Sequence, residues 1–457
     1  MTEQIKKSLK DSPRTRWTAM FLVSFAMFAG YLFTEIISPL KSIIEKSSLG
    51  WSSTDYGIVV SAYGWFNVFL AMLIIVGFLL DKFGIRFSSI TAGATMVVGA
   101  GVKYYAFVGS FAPDSTIFGL DTRVMVASFG YALFGVGVEY AGITASKAIV
   151  KWFKGKEMAL AMGMQVAIAR LGSFVPLAFG AKIASMFTVS TPILFGFLFL
   201  IIGLISFFSY NMLDKKLDLE LNESSKSEDE EDKFKFSDLK VIIYNRGFWY
   251  IAILCVLFYS SVFPFYKYGP DLMVNKFGIS ENWAGLIPSL VPFGTIFLTP
   301  LFGSIYDKKG KGASIMILGS FILVVVHVIY FLPFITSVWI AVLNAILLGI
   351  GFSLVPSAMW PSVPKIIPEK QLGSAFAIIF WVQNWGLMGI PFAVGVVLDA
   401  LNPGVAAAKA AGKAINYNYT KTWLIFIGLT LLAVIFAFLL KAEDKKKGYG
   451  LELPNIK

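Results

Sequence analysis

The chain has 457 residues, of which 57% are hydrophobic, 16% aromatic and only 15% charged, and its mean hydropathy is +0.73. Soluble globular domains do not reach that balance, so the sequence reads as an all-α integral membrane protein. The formal charge of +11 rests on Lys and Arg flanking apolar runs, which orientation in a bilayer explains without a nucleic-acid partner.

The first sixteen residues are polar and basic, and the apolar run at about 17–40 is too long for a signal-peptide core, so it is read as an uncleaved first span. Further runs long enough to cross a bilayer fall at about 56–80, 87–108, 124–150, 157–186 and 190–212, and then at 247–274, 282–306, 312–334, 337–363, 371–399 and 420–441. Twelve helices in two groups of six are expected. Between the groups, residues 213–246 carry Ser224, Ser225, Ser227 and an acidic block from Glu228 to Asp232, a composition that reads as a charged linker. The expected division is therefore 1–212, 213–246 and 247–457. With both termini cytoplasmic, 27 Lys and Arg lie on the cytoplasmic side against 7 outside, which sets the expected orientation.

The fourth and fifth helices are joined by a short basic turn, Lys151-Trp152-Phe153-Lys154-Gly155-Lys156, and each carries one charge deep in its apolar run. Counting ~1.5 Å per residue from the turn, Glu139 lies about 18 Å up one helix and Arg170 about 20 Å up the other. An acid and a base at one mid-membrane depth each need a partner, a wet cavity or a ligand. Lys147, only four residues above the turn, is expected to snorkel to the cytoplasmic surface, and Lys103 either snorkels outward or faces inward.

The sequence also repeats itself. Gly77-Phe-Leu-Leu-Asp81-Lys82-Phe-Gly84-Ile-Arg86 follows helix two, and Gly303-Ser-Ile-Tyr-Asp307-Lys308-Lys-Gly310-Lys311-Gly312 follows helix eight. The glycines allow a tight turn, and Asp81, Arg86 and Asp307 are expected to be gating or structural charges there. This loop resembles the signature of the major facilitator superfamily, and the resemblance covers the whole chain. It implies two pseudo-symmetric six-helix bundles around a cavity that opens alternately to either side.

Further stretches narrow the resemblance: Phe258-Tyr-Ser-Ser-Val-Phe-Pro-Phe265, Lys276-Phe-Gly-Ile-Ser280, Trp360-Pro-Ser-Val363, Ile367-Pro-Glu-Lys-Gln-Leu-Gly-Ser-Ala-Phe376, Gln383-Asn384-Trp-Gly-Leu387, Trp152-Phe-Lys-Gly-Lys-Glu157 and Ala169-Arg170-Leu-Gly-Ser173. Together they resemble the lysosomal dipeptide uniporter branch, the major facilitator superfamily domain-containing protein 1 family. That resemblance implies that Glu139 holds the amino end and Arg170 the carboxylate of a dipeptide. In helix one the family has an acid after an aromatic pair; this chain has Glu35 after Tyr31 and Phe33. No acidic dileucine signal or long luminal loop is visible, an accessory subunit is not evident, and a bacterial-type inner membrane is the expected home.

The chemistry of a dipeptide asks for a carboxylate, a planar donor fork and apolar room between them. Glu139 and Arg170 meet the first two requirements, but a buried salt bridge between them is the competing reading. Glu35 is either a cavity-wall or gate residue or simply lies near the outer interface. Lys267 and Asp271, one helical turn apart, form either a locally neutralised pair or an outer gate. Trp360, Trp381, Gln383, Asn384 and Asn344 are candidate cavity residues in the second half, and the lone His327 is either a core residue or a proton relay. Proton-driven peptide carriers of the superfamily have Glu-x-x-Glu-Arg in helix one; Glu35 stands without it, which favours uniport. With one cysteine, Cys255, and one histidine there is no disulfide and no expected metal or cofactor, and neither a phosphate loop nor a nucleophile elbow points to an enzyme. Two alternatives remain: a proton-coupled carrier of organic anions, with Arg170 binding and Glu139 titrating, and a membrane sensor that does not transport.

Overall fold

A computed structural model describes residues 9–112, 115–154, 156–222, 238–368 and 371–455. Ten of its helices are each long and apolar enough to cross a membrane, and a bent pair, Ser53–Phe69 with Met72–Val108, supplies the remainder of the twelve-helix fold. The spans are α1 (Pro13–Lys46), α2 (53–83), α3 (85–108), α4 (Thr122–Phe153), α5 (Met158–Met186) and α6 (Ser190–Asn222). The second bundle comprises α7 (Arg246–Phe277), α8 (Leu286–Lys309), α9 (Gly312–Phe331), α10 (Val338–Ile366), α11 (Leu372–Leu401) and α12 (Leu424–Lys447).

Local chemistry accounts for the breaks. Pro39, which has no N–H to donate, sits in a 3₁₀ turn that interrupts α1 between Glu35 and Lys41. A capping box between Ser52 and Asp55 starts α2. Ala71, held at φ 49°, then bends that span by 60°, a break that the uninterrupted apolar run at 56–80 conceals. The two halves of the repeat use their glycines alike: Gly84 (φ 75°) turns α2 into α3, and Gly310 (φ 67°) turns α8 into α9. The helix α6 continues through 213–222, and a short helix spans Asp238–Ile243, so the ends of the expected linker are helical; its acidic block lies outside the described residues.

The face that carries the chain ends is tied by Asp11–Lys156, Arg16–Glu157 and Lys147–Asp81 in the first bundle. In the second bundle, Glu452 accepts from the backbone N–H and hydroxyl of Ser314. At the opposite, distal face the two bundles are joined to each other. Asp399, ending α11, accepts from the backbone N–H groups of Ser53 and Thr54 at the start of α2. Close approach there requires glycine: a Cβ on Gly395 of α11 would lie 2.3 Å from the Ser53 carbonyl oxygen, and one on Gly285, before α8, 2.0 Å from that of Leu177 in α5. Backbone meets backbone at both places, so neither position has room for a side chain.

Candidate functional site

The two deep charges lie on the seam between the bundles. Glu139 of α4 accepts a hydrogen bond from the Tyr63 hydroxyl at 2.8 Å, and Asn384 of α11 is in reach of the same carboxylate. The local sequence builds this corner. A Cβ on Gly135, one turn before Glu139, would lie 2.1 Å from the Tyr63 carbonyl oxygen; glycine lets α2 settle on α4 and brings the hydroxyl over the acid. Asn67, one turn after Tyr63, donates to Asn384 Oδ1 at 3.3 Å, and its own amide oxygen is buried without a partner among the described residues.

Arg170 of α5 is arranged differently. Its guanidinium carbon stands 5.0 Å from the centre of the Phe352 ring of α10, and its Nη1 is buried without a hydrogen-bond partner among the described residues. Gly172 lets α1 approach, since a Cβ there would lie 2.4 Å from the Phe28 carbonyl oxygen, and so sets Tyr31 within electrostatic reach of Arg170, Glu139 and Glu35 together. Among the described residues no ion pair joins Glu139 to Arg170. A buried donor left unmade costs about 1–3 kcal/mol, and more for a charged group, so an unpaired guanidinium here marks a place where a ligand oxygen would be welcome.

Around Phe352 the second bundle gathers aromatic rings. Phe258, Tyr259, Phe263 and Tyr266 of α7 all lie within 6.4 Å of its centre, and Trp360 Nε1 donates to the Tyr259 hydroxyl at 3.1 Å.

The remaining candidates separate by position. Glu35 is only 2% exposed and pairs with Lys267 across the seam at 2.8 Å, taking a further bond from Ser38. Lys267 also donates to the Thr34 carbonyl at 2.6 Å. Asp271 pairs with Lys41 at 3.0 Å and accepts from the hydroxyls of Ser42 and Tyr419. The helical spacing of Lys267 and Asp271 is thus not used for a local pair: each turns to a different, buried residue of α1. Trp381 donates to the Val68 carbonyl across the seam at 3.1 Å.

Gln383 lies in the α7–α11 seam, accepting from Cys255 Sγ at 3.6 Å. Asn344 is fixed between α9 and α10 by donation to the Val326 carbonyl at 3.0 Å, and His327 stacks on Phe426 in the core of the second bundle. Asp81 binds Lys147, Arg86 binds Asp218 at 3.2 Å, and Asp307 accepts from Asn455 at 2.8 Å, all on the face that carries the chain ends.

Several members had no distinct signal in the sequence. Tyr63 and Asn67 are ordinary polar residues in an apolar run, although their i, i+4 spacing places them on one side of a helix. Lys41, Glu45 and Lys409, which complete the distal cluster around Asp271, look interfacial in sequence but are at most 3% exposed. Lys103 is fully buried, its ammonium 3.4 Å from the centre of the Tyr131 ring and without a hydrogen-bond partner among the described residues, so it faces inward and does not snorkel.

The model of the Major Facilitator Superfamily matches residues 23–391 and 270–453. The chain is 28% identical over 448 residues to the lysosomal dipeptide transporter MFSD1 of Homo sapiens, covering 95% of this chain and 88% of the relative. It is 29% identical to the same transporter of Danio rerio over 451 residues, 96% of this chain and 89% of that one. Among solved structures it resembles a bacterial homologue of the human lysosomal transporter Spinster in an inward-facing, unoccupied conformation, with a TM-score of 0.68, 12% identity, and coverage of 95% and 98%.

Proposed function

We propose that this chain, which belongs to the major facilitator superfamily and is a membrane transporter of small molecules, carries dipeptides by alternating access as a uniporter. On this reading Glu139 holds the ammonium end and Arg170 the carboxylate, with Tyr63 and Asn384 fixing the acid and Phe352 backing the base. The observation that carries it is the state of the two charges: they face one seam and are not spent on each other, and Arg170 has a buried N–H with no partner. A zwitterion of two residues spans roughly 6–7 Å of extended chain and offers each of them its complement. The similarity to dipeptide transporters over nearly the whole length supports the same substrate class.

The cross-bundle bonds of Glu35 with Lys267 and of Asp271 with Lys41 then act as a gate on the distal side, which must part when the bundles rock, residues 1–212 against 247–457. Trp360, Gln383 and Asn384 belong to the second bundle's contribution to the cavity, while Asn344 holds α9 to α10. The basic loops favour cytoplasmic termini, and a bacterial inner membrane is the proposed location.

A thermal-shift screen of the purified protein tests the reading, with dipeptides set against single amino acids, tripeptides and organic anions. A ligand that binds only the folded state adds about 2.7 kcal/mol at ~100 times its dissociation constant. Dipeptides are expected to raise the midpoint and the controls are not; Glu139→Gln and Arg170→Ala are expected to abolish the shift. Response to organic anions alone would refute the dipeptide assignment and make Arg170 an anion site. An undiminished shift in both variants would remove Glu139 and Arg170 from the site.

A further inference from the structure

The two ends of the seam differ in more than charge. Beside Arg170 stand rings: Phe352 within 5.0 Å of the guanidinium, then Tyr259 and Phe263, both on α7, within 6.0 Å of Phe352. Beside Glu139 stand amides and a hydroxyl: Tyr63, Asn384 and Asn67, the last with a buried amide oxygen that no donor satisfies. Space also differs. At the acid end α2 touches α11, so that a Cβ on Gly64 would lie 2.9 Å from Met388 Cβ and 3.1 Å from the Asn384 carbonyl oxygen.

Chain chemistry converts this difference into selectivity. In a dipeptide the carboxylate is attached to the second residue's Cα and the ammonium to the first residue's Cα. A molecule held at both ends therefore presents its second side chain beside Arg170 and its first beside Glu139. Turning it round would bring carboxylate to carboxylate and ammonium to guanidinium, and like charges in a site of low dielectric repel strongly.

Resting on the dipeptide reading above, we infer that the site reads the order of the two residues, taking a large apolar or aromatic side chain at the second position and a small or hydrogen-bonding one at the first. Phe352, Tyr259 and Phe263 determine the second position; Asn67 and Asn384 determine the first, where the free amide oxygen of Asn67 accepts a donor from the substrate. Apolar surface gains by leaving water for a ring-lined wall. The same side chain set among amides gains less, because it displaces solvent from groups that then lack partners.

Sequence isomers isolate the effect, since Ser-Phe and Phe-Ser have the same composition, charge and size. Affinities from ligand-dependent midpoint shifts of the full-length protein would be compared for Ser-Phe against Phe-Ser and for Asn-Leu against Leu-Asn. The expected result is about tenfold tighter binding of Ser-Phe and Asn-Leu, a difference of ~1.4 kcal/mol. In Phe352→Leu the preference is expected to shrink for the Phe pair. The wild-type comparison decides alone should that variant not fold. Equal affinities, or tighter binding of Phe-Ser and Leu-Asn, would overturn the order inference while leaving the dipeptide reading standing. Absence of any shift with all four peptides would overturn both.

Discussion

The charges around Glu35 make an unequal set whose removal one at a time has a worked consequence. Glu35 and Lys267 are paired at 2.8 Å, Lys267 is also held by the Thr34 carbonyl, and Lys103 lies within electrostatic reach of both without a hydrogen bond of its own. In formal charge that is one acid against two lysines. Glu35→Gln leaves two buried lysines with no acid, and breaking a buried pair from one side costs about 3–5 kcal/mol. Lys267→Met loses the bonds to Glu35 and Thr34 but leaves Glu35 opposite Lys103, a balanced remainder; the loss is then that of hydrogen bonds to a charged group, about 1.5–3 kcal/mol. Lys103→Met replaces an unbonded ammonium in apolar surroundings with a side chain of similar length, and what it gives up is the Tyr131 face, of order 2 kcal/mol at a desolvated site. The relief from desolvation offsets that, so this variant is expected to be close to neutral. Unfolding midpoints of the three variants and of Glu35→Gln/Lys267→Met, measured in detergent without ligand, give the comparison. The order of stability expected is Lys103→Met, then Lys267→Met, then Glu35→Gln, with the double variant recovering part of the last. Lys103→Met as damaging as Glu35→Gln, or a double variant no better than Glu35→Gln alone, would refute the charge argument.

Gly395→Ala puts a Cβ where 2.3 Å separates it from the Ser53 carbonyl oxygen, and overpacking of ~1–3 kcal/mol should thin the distally closed population by about 5- to 150-fold; labelling of a cysteine placed at Ser42, which is buried on that face, should accelerate accordingly relative to Ser42→Cys alone, and an unchanged rate would contradict it. Tyr63→Phe removes the hydrogen bond to Glu139, so dipeptide affinity is expected to fall and the ligand-free stability to drop by the ~1.5–3 kcal/mol of a bond to a charged group; direct titration and unfolding midpoints of both proteins read this. At the turn before α5, the Glu157 backbone N–H and the Arg16 guanidinium hold the Glu157 carboxyl below its ordinary range. A depressed carboxyl stabilises the fold above its unfolded value, about 4.3, and that contribution disappears as pH falls through the lower folded value; Glu157→Gln should flatten this acid limb of a midpoint-against-pH curve.

Much of the architecture is legible because a bilayer imposes it: length, apolar content and the Gly84 and Gly310 turns leave few alternatives to twelve helices in two groups. Glu139 and Arg170 stand out for the same reason, being charges where a charge is costly. The partners of those charges were not legible. Tyr63 reaches Glu139 only through a tertiary approach that Gly135 permits, Phe352 reaches Arg170 from the other bundle, and nothing local distinguishes Tyr63 or Phe352 from the many other aromatic residues. Lys103 stands open in sequence between snorkelling outward and facing inward, and packing decides it. Near a helix end a lysine usually snorkels, but the small residues of α3 and α4 bring those helices so close that its ammonium is enclosed against Tyr131; a Cβ on Gly130 would lie 2.5 Å from the Lys103 backbone nitrogen.

The pairing of charges itself separates a gate from a site. A gate must close with no ligand present, so its charges need partners from the opposite bundle, as Glu35 has in Lys267 and Asp271 has in Lys41. A binding residue satisfied by the protein in the same way would have to break that bond for every substrate, at a cost of about 3–5 kcal/mol for a buried pair, and few dipeptide contacts would repay it. Arg170, backed by a ring and left with a free N–H, avoids that cost. The stability lost by leaving it unpaired is then recovered as substrate affinity, which is why substitution of Arg170 should affect binding far more than folding, while substitution of Glu35 should do the reverse.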